Sequence, residues 1–455
     1  MFVAVRAWPA LRSAIFASGL AMVCLAGSGP SLADSRVANP VSRPRPAGTL
    51  NLNQLIALAE RDNKDLHAAR YAIDVARARL LQAGLRANPR LDLAARSDFL
   101  FNNDGEYAIS AAISQEFPVA GRILRQKDVA RVDIALAETE VANAQRRIAE
   151  DIAGKVYRLL VSEQQVGTLD SLIGVDEKLA QTTRNRFRAA EVSELDVNTV
   201  QIDMQRLMLE RSLLQSERQT LTAALNTLIG RAPTTPLDVA GPLPATDAVP
   251  DLQQLQRRAL QQRPDFQGAL LSVDRAAAEK ALARAQRWQD WTVGLELAQE
   301  KQVVFGAPPQ GTDRAIGVSV SIPLPLFNKS QGLIAEADAN REQALARVDA
   351  LRLGIVAEVA GAHAEATRLQ VLLQQFGKSM LPISERSVRL ARQGYDMGLI
   401  PVFDVVQAQR QLGELNKSYL STLDQFVQAV VRLHAAAGDY APLSPDTHMH
   451  HQGNY

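Results

Sequence analysis

The stretch from Arg122 to Ala189 limits what this chain can become more than any other. It has no proline, only three glycines (Gly154, Gly167 and Gly174), and an abundance of alanine, leucine, arginine and glutamate. Branched apolar residues recur at steps of seven at Ile134, Val141 and Ile148, then, after a step of four, at Ile152, Leu159, Val166 and Ile173. This pattern predicts one long helix carrying a coiled-coil seam with a stutter. At 1.5 Å per residue the helix would reach roughly 100 Å, far beyond the usual globular length. No compact domain needs such a rod.

The rod recurs. Phe187 to Gln201 aligns with Tyr395 to Gln409 at an offset of about 208, setting Ala190 against Gly398, Val192 against Ile400, Leu195 against Phe403 and Asp196 against Asp404. Leu52, Leu55, Ala59, Leu66 and Ile73 recur near an offset of about 200 as Leu252, Leu255, Ala259, Phe266 and Val273. The chain therefore reads as two tandem halves, 50–247 and 251–440, followed by a tail at 441–455. The long helices are expected at 122–189 and 331–392, the second kinked at Pro382.

Residues 1–33 have the form of an export signal, with Arg6 and Arg12 before an apolar run and Ser31-Leu32-Ala33 as the cleavage site. A leader, 34–49, follows. The only cysteine, Cys24, falls inside the signal, and the residues before it lack the small residue that lipoprotein processing requires. A formal net charge of +1 and the absence of a basic cluster argue against a nucleic-acid partner.

Leu50 to Ala87 reads as one helix, capped by Asn51 or Asn53 and stopped by Asn88-Pro89. The period then changes to two. Leu91, Leu93 and Ala95 alternate with polar or small residues, as do Tyr107, Ile109, Ala111 and Ile113 after Asn102-Asn103-Asp104-Gly105. The second half repeats the pattern at Trp291, Val293, Leu295 and Leu297, then at Ile316, Val318, Val320 and Ile322. The strands are thus placed at about 90–117 and 291–322. Such strands suit a membrane barrel with lipid on one side and water on the other. Four cannot close one, so several copies must contribute. The helices 194–229, 266–289 and 403–437 have the length to lie beside the rods, meeting the shorter ones at mid-rod, where the link Gly230 to Pro250 would wrap.

The ensemble resembles the TolC-like outer-membrane efflux proteins. Gln115-Glu116-Phe117-Pro118, the run Gly317 to Asn328 ending Pro-Leu-Pro-Leu-Phe-Asn, Gln331-Gly332 and the Gly398 to Asp404 turn carry the resemblance, and the Pro-Leu-Pro-Leu-Phe-Asn run looks most like the heavy-metal cation branch. The resemblance implies a mainly α fold with a transmembrane β-barrel. It implies a homotrimer in outer-membrane lipid, with twelve strands above a periplasmic α-barrel of long antiparallel helices. Its implied partners are a periplasmic adaptor and an inner-membrane pump, often of the resistance-nodulation-division type. It also assigns adaptor contact to Ala190, Glu191 and Val192 and to Gly398, Leu399 and Ile400, and a constriction to Asp404. Gln407, one turn on, is acidic in some relatives. Asp196 is the first-half counterpart of Asp404, either a gate residue or simply a carboxylate suited to a helix start.

No catalytic motif is present, and no cofactor or metal site is expected. His448, His450 and His451 read as a polar tail. An exit duct for metal cations is the leading expectation. Drug or type I protein export by the same kind of duct, and a periplasmic coiled-coil scaffold or adaptor, are the alternatives.

Overall fold

The computed structural model describes residues 49–98, 100, 105–244, 249–304, 306–308 and 310–439. The export signal, the leader up to residue 48, the Asn102-Asn103-Asp104 turn, and the tail with His448, His450 and His451 lie outside the described residues.

The first half opens with α1 (Leu52–Asp62) and α2 (Lys64–Ala83), where the sequence suggested one helix. Asn63 makes the break. Its backbone is extended, its N–H still closes α1 onto the Ala59 carbonyl, and its side chain accepts from Leu66 N–H at 2.8 Å to start α2. Asn51, not Asn53, caps α1, through a capping box with Gln54. The strands β1 (Arg90–Ser97) and β2 (Tyr107–Phe117) follow. Then come the rod α3 (Arg122–Arg188) and α4 (Glu194–Leu228).

The second half repeats the order with α5 (Leu252–Gln262), α6 (Pro264–Ala285), β3 (Trp291–Lys301) and β4 (Asp313–Ser321). The helix expected to begin at Phe266 starts at Pro264, because proline suits the first helical position. It ends at Ala285, short of the expected Gln289. The second rod is interrupted. α7 (Gln331–Gln375) passes through a π-helical turn, Phe376–Met380, into α8 (Leu381–Asp396), and α9 (Val402–Ala437) returns. Pro382 lacks an N–H, and the wider turn directly before it absorbs the misfit.

The four strands form one antiparallel sheet in chain order. Across it, Leu91, Ile113, Leu295 and Val318 make one row and Leu93, Ala111, Leu297 and Ile316 the next. The opposite face carries small or polar residues such as Ser114, Gly294 and Ser319 in register. β1 and β4 are edges with no further partner among the described residues.

The apolar core lies at mid-rod. Ile152, Val156 and Leu159 of α3 and Ile355, Val359 and Leu369 of α7 gather there with the ends of α1, α4, α5 and α9, and Leu237 and Val239 of the link join them. Leu50 bonds to the link on both sides, its N–H to the Asp238 carbonyl and its carbonyl to Ala240 N–H. The paired short helices meet at matching joints. In the first half the Asn63 side-chain amide donates to the Leu228 carbonyl at 2.8 Å. In the second, Arg263 donates to the Ala436 carbonyl at 3.2 Å and pairs with Asp265 and Glu358.

Candidate functional site: the helix turns and the polar layer beside them

Each hairpin reverses through the same backbone device. At the first turn Ala190 N–H bonds to Phe187 O and Glu191 N–H to Arg186 O; at the second, Gly398 N–H bonds to Tyr395 O and Leu399 N–H to Gly394 O. This double closure needs a left-handed residue after the helix, and the chain places Ala190 there at φ 60° and Gly398 at φ 73°. Ala190, Glu191, Gly398 and Leu399 are exposed, while Val192 and Ile400 are half-buried. The six expected contact residues thus sit at two equivalent turns. Ile400 also packs where a side chain on Gly394 would have to go.

The restart of each hairpin differs. Ser193 caps α4 in a reciprocal box: Ser193 N–H donates to Asp196 Oδ2 at 2.9 Å, and Asp196 N–H donates to Ser193 Oγ at 3.3 Å. The carboxylate of Asp196 is therefore engaged in starting a helix. Pro401 caps α9 without a side-chain bond. Asp404 occupies the equivalent position, exposed, and has no side-chain partner among the described residues. Gln407 is exposed one turn on.

The two hairpins are braced at their ends by residues that the sequence reading did not single out. Arg186 donates to the Tyr395 carbonyl at 2.9 Å and the Asp396 carbonyl at 3.0 Å, so a cation closes the C-terminus of α8. Its guanidinium lies 4.4 Å from the centre of the Tyr395 ring. The Tyr395 hydroxyl meets Thr183 Oγ1 at 3.2 Å, and both residues are buried.

A polar layer lies about 15–20 Å from the turns. Asp176 of α3, Asp203 of α4 and Gln409 of α9 are each at most 4% exposed. They separate an apolar cluster around Leu179, Val200 and Val405 from another around Leu169, Ile173 and Leu207. Asp203 accepts from Arg410 at 2.7 Å and Arg206 at 3.2 Å. One carboxylate oxygen of Asp176 and both polar side-chain atoms of Gln409 have no protein partner. Burial, reinforced by the charge of Asp203, pushes Asp176 up to about 6, and Arg392, Arg206 and Arg410 pull the other way. Among the described residues no three histidine, cysteine or acidic side chains gather as a metal site.

A chain with an amphipathic four-stranded sheet at one end of paired long helices has the protomer design of an outer-membrane channel extended by a helical tube. Residues 255–439 match the family described as "Outer membrane efflux protein". The "Cobalt-zinc-cadmium resistance protein CzcC" of Cupriavidus metallidurans is 24% identical over 408 residues, 88% of this chain and 92% of that one. Among solved structures, CusC superposes with a TM-score of 0.69 at 18% identity, over 85% of this chain and 92% of CusC. VceC, from Vibrio cholerae, gives 0.66 at 19%, over 85% and 96%. The second half thus matches the outer membrane efflux family, and the chain as a whole shares the fold of these solved structures.

Proposed function

We propose that the protein is the outer-membrane exit duct of a tripartite efflux system, acting as a homotrimer whose twelve strands close one barrel. The observation that carries this is the sheet: one face apolar and exposed, the other small or polar, and both edges open. Open edges are not tolerated in lipid, so neighbouring copies must pair with them. The exposed turns at Ala190 to Val192 and at Gly398 to Ile400 are the adaptor-facing tips, and an inner-membrane pump of the resistance-nodulation-division type supplies the energy. The relation to a cobalt-zinc-cadmium resistance protein favours divalent metal cations as cargo over drugs or proteins.

The free carboxylate of Asp404 is the constriction residue. Three symmetric copies would set like charges close together and favour cations. Single-channel conductance in planar bilayers tests both claims. Wild type is expected to give small, cation-selective currents blocked by divalent cations, and Asp404→Ala to give larger currents with weaker block. A folded oligomer without channels would overturn the duct, and wild-type currents in the variant would remove Asp404 from the constriction.

A further inference from the structure

We infer that the segment Ile322 to Lys329, between β4 and α7, docks into the periplasm-facing leaflet of the outer membrane as an interfacial foot; this rests on the outer-membrane reading above. The argument begins with the apolar face of the sheet. On β2 that face runs from Tyr107 to Phe117, about 34 Å along the strand and about 25 Å in height at a tilt of 40–45°, which matches the apolar band of a membrane barrel. Phe117 stands opposite Trp291 in register, and Tyr107 ends the face at the other side. The band is therefore bounded by aromatic residues at both ends, as interfaces favour.

On β4 the same face does not stop at the aromatic row. Thr292 pairs with Ser321, so Ile322 falls level with Trp291. The alternation then continues beyond the strand: Leu324 is 68% exposed and Leu326 66%, after Ile316, Val318, Val320 and Ile322. Phe327 is 92% exposed. Leu324 is about 7 Å of extended chain past the aromatic row, the depth of the headgroup zone.

The backbone of the segment is prepared for a poorly hydrated setting. Pro323 and Pro325 carry no N–H at all. Leu326 N–H donates to the Leu324 carbonyl at 2.8 Å, Lys329 N–H to Gln331 Oε1 at 2.8 Å, and Ser330 N–H to Asn328 Oδ1 at 3.0 Å. Four of the segment's eight residues, Pro323, Pro325, Leu326 and Lys329, thus offer water no backbone N–H, which matters where unpaired donors are costly. Lys329 follows the apolar group and is exposed, able to reach lipid phosphate while Phe327 enters the acyl boundary. The first half has no such foot. Its connection from β2 to α3 is only Pro118 to Gly121, and Val119 within it is half-buried.

The test is depth measurement by spin label. Phe327→Cys, and separately Leu326→Cys, each in a Cys24→Ser background, are labelled with a nitroxide and reconstituted as the full chain in phospholipid vesicles. Val318→Cys and Ser319→Cys serve as references for the lipid-facing and lumen-facing sides. The inference expects labels at 326 and 327 to favour oxygen over a water-soluble nickel complex several-fold relative to 319, at a depth just outside that of 318. Labels as open to nickel as 319 would overturn it. So would labels shielded from both reagents, which would assign the segment to contact with a neighbouring copy, for example its exposed Leu81 and Leu85. If the label at 318 itself were open to nickel, the outer-membrane placement of the sheet would fall, a result distinct from failure of the foot alone.

Discussion

The two halves of the chain share an element order but not a tension. In the first, α3 runs unbroken past Gly174, its turn is held by a strained alanine, and Asp196 is spent on a cap. In the second, the equivalent rod loosens into a π turn before Pro382, its turn uses glycine, and Asp404 is unattached. The polar bonds that brace the turns run from Arg186 and Thr183 of the first half to Tyr395 and Asp396 of the second. The first half is built as the frame, and the second as the part whose position the frame decides.

The comparison can be broken at three points. Asp176→Asn is expected to have the largest effect on stability. The folded carboxylate takes up a proton near pH 6, whereas its ordinary value is 3.8, so the folded chain binds a proton between them that the unfolded chain does not. Its penalty is complete above about pH 7, shrinks as pH falls through 6, and vanishes below the ordinary value. The variant should therefore be more stable at pH 7.5 by about 1–3 kcal/mol and no better at pH 4. Thermal unfolding in detergent across that range checks it, and an equal gain at every pH would contradict the assignment.

Next in size is Arg186→Ala, which removes two bonds from a charged donor to the end of α8 and should cost about 2 kcal/mol. It should also raise conductance if the frame holds the second hairpin in place; a stability loss with unchanged conductance would make the brace purely structural. The smallest pair is reciprocal. Ala190→Gly should gain and Gly398→Ala should lose about 1 kcal/mol each, because only one of the two left-handed positions carries a Cβ. A change of the same sign at both turns, read from melting temperatures, would show that they are not equivalent.

Periodicity made the long elements legible. The seven-residue seam announces α3, and strict alternation announces each strand, since both signals depend only on which face is buried. The Asn63 break was masked because the apolar spacing continues across it, and one weak helix former does not by itself end a helix. Arg263 was likewise hidden, although Pro264 beside it signalled a helix start. The polar layer was concealed for a different reason: charged residues on a rod normally face water. Its trace was nonetheless present, for Asp176 lies midway between Ile173 and Leu179, and Asp203 follows Val200 on the same stripe. A charge inside a seam belongs to the interior. The Asp404 and Asp196 positions aligned by repeat, but which carboxylate was occupied depended on Ser193 against Pro401, a difference of one capping hydroxyl.

The joints at Asn63 and Arg263 have a mechanical meaning. An unbroken helix carries torque along its whole length, since each turn is bonded to the next. Beside each rod the chain instead places two shorter helices end to end, spliced by one amide at Asn63 in the first half and by one guanidinium at Arg263 in the second. A splice of that kind has little torsional stiffness. Twist applied at the turns therefore has a place to dissipate at mid-rod along the spliced columns, while the unbroken α3 remains the path by which it reaches the sheet.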